Sequence, residues 1–316
     1  MKKALKISRN ILLGLLLVIF LFLGGTYLNN QIRLKSEAKK IEAYGKQLDV
    51  FDGKINVVRS GSGEGKQSII LFPGFGTASP HYDFLPLTTK LEDDFEVIIV
   101  EPFGYGLSTP TKRERTIDNI VEEMHEVIQQ LDVENYVLGG HSVAGLYTVN
   151  YVNRYPDEKV AVFLGVDTSV PTQKMEMINM SWFNLLKKSG IMRLVIDANP
   201  VKGLGVTKDN PNVDQMRMVT LKNMNNPTQN AELDLLLENF EATKEMTLPE
   251  DLPTLLFVAL NDSRDDWVSE HEKQLAQVKT GEMVQLKGDH YLHHTQSEAI
   301  AKETIEFMKE LNNRKG

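Results

Sequence analysis

The chain has 316 residues, 41% hydrophobic and 25% charged, enough for one large domain or a domain with an insertion. It contains no cysteine, which excludes disulfides, thiolate nucleophiles and cysteine-ligated zinc. The net charge of −8 is unevenly spread: residues 1–40 carry +7 and the remainder −15, so the body is acidic and unsuited to nucleic acid, whereas the basic head points to a membrane.

Lys2, Lys3, Lys6 and Arg9 precede an uninterrupted apolar run from Ile11 to Leu23, and no charge occurs between Arg9 and Arg33. Residues 11–28 form a helix of about 27 Å, close to the roughly 30 Å hydrocarbon core. The basic residues favour a cytoplasmic N-terminus, with the body outside. Residues 1–28 are therefore expected to be a single-pass signal-anchor in the cell membrane. The alternative is a cleaved signal peptide and secretion, against which stands the lack of an Ala-x-Ala site after Gly24-Gly25-Thr26. Residues 29–45 read as a polar stalk.

The body begins with two short strands around Asp52-Gly53, a hairpin turn signal. Apolar strands at 68–72, 95–100, 136–138, 160–166, 254–260 and 282–286 then alternate with helical patterns. Among these helices, Thr116 caps one running to about Leu131. Such alternation predicts a mostly parallel sheet, with ligands bound beyond the carboxyl ends of its strands. Residues 171–246 interrupt it. They hold eight of the twelve methionines and helical patterns at 181–189, 213–224 and 230–245, and read as a helical lid. The core is then residues 46–170 and 247–316.

Gly140-His141-Ser142-Val143-Ala144 follows a strand and opens a helix. Such a turn strains the serine backbone and raises its hydroxyl above the sheet edge, with small residues needed two before and two after. An acid and a histidine at the ends of later strands would complete a nucleophilic constellation. Asp262 follows the strand 254–260 and His290 the strand 282–286, in the chain order Ser, Asp, His. Rivals for the acid are Asp167, Asp265 and Asp266; rivals for the base are His293 and His294.

These residues resemble the α/β-hydrolase superfamily over about residues 46–312. Gly140–Ala144 is similar to its nucleophile elbow, with Ala144 where Gly is more common. Pro73-Gly74-Phe75-Gly76 resembles its oxyanion motif, with Pro73 in place of the usual His. Phe103-Gly104-Tyr105-Gly106-Leu107-Ser108 and Gly288-Asp289-His290 resemble two further family segments, and Ser297 stands where a proline is common. The resemblance implies an α/β fold: a mostly parallel, doubly wound sheet of about eight strands with helices on both faces and a helical cap insertion.

It further implies a triad of Ser142, Asp262 and His290, with the backbone amides of Phe75 and Val143 as oxyanion hole. The expected substrate is a small-molecule ester or related carbonyl compound. No cofactor and no metal are called for.

Overall fold

The computed structural model describes residues 2–61, 65–176, 179–204, 206, 210–261 and 264–315. The elements follow in chain order: α1 (Lys2–Glu37), β1 (Lys46–Val50), β2 (Gly53–Ser60), β3 (Ser68–Phe72), α2 (Pro80–Leu91), β4 (Glu96–Glu101), α3 (Ile117–Leu131), β5 (Tyr136–His141), α4 (Ala144–Arg154) and β6 (Val160–Val166). Next come α5 (Ser181–Lys188), α6 (Ile191–Ala198), α7 (Pro200–Leu204), α8 (Val213–Asn223), α9 (Pro227–Asp234), α10 (Leu236–Thr243), β7 (Thr254–Ala259), α11 (Trp267–Leu275), β8 (Gly281–Leu286), α12 (Leu292–Thr295) and α13 (Ser297–Lys315). They divide into two units. One joins residues 1–42 to 178–222; the other holds 43–177 and 223–316.

The larger unit is built on one eight-stranded sheet in the order β1-β2-β4-β3-β5-β6-β7-β8. β1 and β2 are antiparallel to each other and β2 to β4; every pair from β4 through β3, β5, β6 and β7 to β8 is parallel. The carboxyl ends of β3, β5, β6 and β8 therefore face one rim.

Alternation along the strands supplies two cores. Ile70, Phe72, Ile98 and Val100 join the residues of α3 and α4, whereas Ile69, Leu71, Val97 and Ile99 join Phe84, Leu87 and Leu91 of α2 and the buried side of α13. Each such side chain, fully buried, contributes roughly 1.5–3 kcal/mol. Strands apolar on both faces are those a sheet covered on both sides requires.

Thr116 caps α3 as its sequence predicts, its hydroxyl accepting from the Asn119 amide at 3.3 Å. The first hairpin differs from expectation. Gly53 pairs with Val50, so the two-residue turn is Phe51-Asp52, and Phe51 takes the left-handed conformation at φ 44°. Two local contacts support it. The Arg113 guanidinium lies 3.8 Å from the Phe51 ring centre, and the Asp52 carboxylate accepts from the Thr111 hydroxyl and the Lys112 amide. The helical pattern expected over 230–245 is also two helices, α9 and α10, broken at Leu235.

The smaller unit is organised along α1. Its apolar residues from Leu5 to Leu28 are exposed over most of the surface, and among the described residues it is the one helix long and apolar enough to cross a membrane. From the end of that run a polar stripe, Thr26, Asn30, Arg33 and Glu37, follows helical spacing along one face. Side chains of α6 and α8 cover it. Arg193, 1% exposed, donates to Asn30 and Glu37 at 2.7 Å each. Arg217 donates to Glu37 and Asp197, and Arg33 pairs with Glu37 and Asp197. Gly190 is left-handed at φ 81°, and a Cβ there would strike the Thr26 carbonyl oxygen.

Candidate active site

Ser142 leaves β5 at φ 56°, a left-handed value that costs a non-glycine residue on the order of 1 kcal/mol. The neighbouring residues make the turn possible. A Cβ on Gly140 would meet the Phe72 carbonyl and lie 2.7 Å from the Ala144 Cβ. Ala144 is itself fully buried, so the one methyl group between the two positions fills the available space. Gly74, in the loop after β3, is pressed as closely: a Cβ there would lie 2.7 Å from His141 Nδ1 and 2.9 Å from the Ser142 Cβ. The register pair Phe72–Gly140 between β3 and β5 brings this loop to the elbow.

The loop after β6 is tied to the same turn, because the Ser169 amide donates to the Ser142 carbonyl at 2.7 Å. It carries Asp167, fully buried and also left-handed, at φ 47°. Asp167 Oδ2 accepts from His290 Nδ1 at 2.7 Å. Its Oδ1 accepts from the Ala259 amide and the Trp267 indole N–H, each at 2.8 Å. Its own amide donates to the Phe257 carbonyl at 2.7 Å. The Trp267 ring is covered in turn by the Arg264 guanidinium at 3.4 Å.

His290 is thus held by a carboxylate from the strand next to β5. Asp262 lies outside the described residues. The acid that meets His290 is Asp167, the rival at the end of the preceding strand.

His290 is held at its backbone as well. His141 Nε2–H donates to the His290 carbonyl at 2.9 Å, so the residue before Ser142 grips the segment that carries His290. Burial, with His293 and His290 nearby, holds the His141 pKa well below the usual imidazole value, so the ring stays a neutral one-donor group. His293 and His294 face elsewhere. Their Nε2 atoms donate to Asp83 of α2 at 2.8 and 2.9 Å, one to each carboxylate oxygen. Burial would raise the Asp83 carboxyl, but the two imidazoles facing it hold it well below the usual carboxylate range. Burial lowers His293; at His294 the same opposing effect is outweighed by the hydrogen bond and attraction to Asp83, and its pKa is raised.

Val143, 3% exposed, stands at the head of α4, where the first N–H groups lack intrahelical acceptors. Phe75 is half-buried in the loop 73–77. That loop has a support the sequence did not reveal. The Gly76 amide donates to the Tyr105 hydroxyl oxygen at 3.2 Å, and the Tyr105 hydroxyl donates to Glu232 of α9 at 3.0 Å. The other Glu232 oxygen accepts from Tyr147 of α4 at 2.7 Å. Burial raises the Glu232 carboxyl, against the opposing effects of Arg115 and the two phenols. A glutamate in a helical insertion carries no local signal of such a role; the Gly-Tyr-Gly turn at 104–106 was the visible half.

The family described as alpha/beta hydrolase fold matches residues 67–213, from β3 through the elbow and β6 into the insertion. The chain has the α/β-hydrolase fold. Across almost its whole length the chain is also similar to the uncharacterized protein YbdG of Bacillus subtilis (strain 168), at 24% identity over 98% of the chain and 100% of the relative. Among solved structures it is similar to a bacterial membrane phospholipase A, at 19% identity and TM-score 0.65 over 96% of this chain and 99% of the other. The enol-lactonase of Burkholderia xenovorans LB400 is another, at 18% identity and TM-score 0.59 over 84% and 100%. These likenesses show the fold.

Proposed function

We propose that the chain is a membrane-anchored serine hydrolase that cleaves carboxylic esters through an acyl-enzyme on Ser142. The observation that carries this reading is the 2.7 Å hydrogen bond between His290 and Asp167, beside an elbow whose His141 grips the His290 carbonyl. His290 Nε2 takes the proton of Ser142 as its Oγ attacks the substrate carbonyl. Asp167, in the role the sequence assigned to Asp262, fixes the Nδ1–H tautomer and stabilises the imidazolium.

The Phe75 and Val143 amides receive the developing oxyanion, each worth about 3 kcal/mol in such sites. The imidazolium returns its proton to the departing alkoxide. A water, deprotonated by His290, then cleaves the acyl-serine and releases the acid. Two structural neighbours are named phospholipase and lactonase, names that refer to acyl–oxygen bonds, and this favours esters over amides. Residues 11–28 span the cell membrane, with the basic N-terminus inside and the catalytic body outside.

A fluorophosphonate probe tests the chemistry. Folded wild-type protein should be labelled and Ser142→Ala should not. Labelling of neither, with folding verified, would leave a lidded ligand receptor instead. Matched p-nitrophenyl ester and anilide substrates then separate esterase from amidase.

A further inference from the structure

The smaller unit carries an exposed apolar face that the catalytic reading does not use. On α5, Trp182 is 69% and Leu185 53% exposed; on α6, Leu194 is 38% and Val195 57% exposed. Among the described residues these two helices hold few buried positions, and those of α6, Arg193 and Ile196, lie away from this face.

The level of this face along α1 is defined by two contacts. The Thr26 hydroxyl donates to the Ser189 carbonyl at 2.7 Å, and Gly190 packs on the Thr26 backbone. Thr26 is two residues short of Leu28, where the apolar run ends. At 1.5 Å per residue the junction of α5 and α6 therefore sits within about 3 Å of that end along the helix. Charge points the same way. Residues 178–222 carry seven Lys or Arg against three Asp and no Glu, in a chain whose net charge is −8, and five of the seven, all Lys, lie outside the ion pairs of Arg193 and Arg217. A basic segment with Trp and Leu on its apolar face, at the depth where a spanning helix leaves hydrocarbon, has the composition of an interfacial membrane element.

We propose that α5 and α6 form a docking surface for the outer face of the bilayer, with Trp182, Leu185, Leu194 and Val195 seated at the headgroup–acyl boundary of an anionic phospholipid membrane. The inference rests on the reading of α1 as a membrane span. The occupant is the bilayer that α1 already crosses, because the Thr26 contacts hold the α5–α6 junction against that helix at the end of its apolar stretch.

The chain has two tryptophans, and the other, Trp267, is 2% exposed. Full-length protein in vesicles of phosphatidylglycerol and phosphatidylcholine, with lipids brominated high on the acyl chain, reports on Trp182 directly. Bromolipid should remove a substantial part of the wild-type emission and leave that of Trp182→Phe almost unchanged. Alkaline carbonate extraction of the same vesicles reports separately on α1.

Retention in the membrane with no quenching of Trp182 would overturn the docking surface while leaving the anchor standing, and shielding of Trp182 from aqueous iodide in that case would identify a protein occupant such as a second copy. Release by carbonate would overturn the anchor and the docking surface with it, while the Ser142 chemistry would remain open to its own probe.

Discussion

Asp167 Oδ2 meets His290 Nδ1 at 2.7 Å, and Asp167 Oδ1 is shared by the Ala259 amide and the Trp267 indole. Three donors orient one buried carboxylate, so the imidazole it holds has little rotational freedom. Asp167→Asn should lower kcat on a p-nitrophenyl ester by about 10³–10⁴-fold with a modest change in KM, because the amide favours the wrong tautomer. Asp262→Asn should stay within a few-fold of wild type. The reverse ranking would assign the acid to Asp262.

Glu232 and Tyr105 support the loop 73–77, proposed to receive the oxyanion, at one remove. Tyr105→Phe removes the acceptor of the Gly76 amide and one of the two hydroxyl donors of a buried carboxylate. Leaving such groups unpaired costs about 1–3 kcal/mol. The expected result is a lower melting temperature, and a fall in kcat of roughly tenfold with KM little changed, if a displaced loop forfeits part of one oxyanion hydrogen bond. Glu232→Gln keeps the shape and should rescue most of the stability lost in Glu232→Ala. Burial raises the Glu232 pKa in the folded state, so the native state binds this proton more readily than the unfolded one. Its contribution to stability is therefore present at low pH and declines as pH rises through the folded pKa. That slope should vanish in Glu232→Gln.

The Asp83–His294 pair has a different pH signature. Asp83 is lowered from an ordinary value of 3.8, so its contribution is present above that value and is lost only as pH falls through the depressed folded pKa. His294 is raised from 6.5, so its contribution is complete below 6.5 and is lost as pH rises through the folded pKa. The pair should stabilise most between these limits. Thermal melts of wild type and His294→Gln should differ most near pH 5 and converge at alkaline pH. An equal difference at both would remove the ion pair as the cause.

The elbow sets a steric contrast between two neighbouring positions. Ala144→Gly removes a methyl from the first residue of α4 and should retain activity, losing about 0.5–1 kcal/mol of stability. Gly140→Ala drives a Cβ into the Phe72 carbonyl and the Ala144 methyl, and should unfold the protein or abolish soluble expression. Combining Gly140→Ala with Ala144→Gly should recover little, because the backbone clash with Phe72 remains.

The alternation of strands and helices was legible because strands buried on both faces are continuous apolar runs, as at 68–72 and 254–259. Ser142 and His290 were legible because each follows such a run at a glycine-bearing turn. The acid was not. Asp167 and Asp262 both end an apolar strand, and no pattern in the chain distinguishes the carboxylate that lies under Trp267 and beside His290. The directly strand-terminal position of Asp167, on the element after the nucleophile strand, was the available signal.

The insertion was read as a single lid because its helical periodicity is local. Its division rests on long-range pairs, Arg193 with Glu37 and Arg217 with Glu37 and Asp197, which join residues some 150–180 positions apart or meet within the insertion itself. α7 has only five residues, too few turns for a period to emerge.

Ser142 and Asp167 end adjacent strands in the same left-handed conformation, at φ 56° and 47°. The device has a practical side. Glycine adopts that conformation at no steric cost, so Ser142→Gly relaxes the turn that holds the proposed nucleophile. An enzyme inactivated in this way should outlast the working one on heating, and it is the better starting material for soaking intact substrate into crystals. At this rim, turnover and durability are set against each other by one torsion angle.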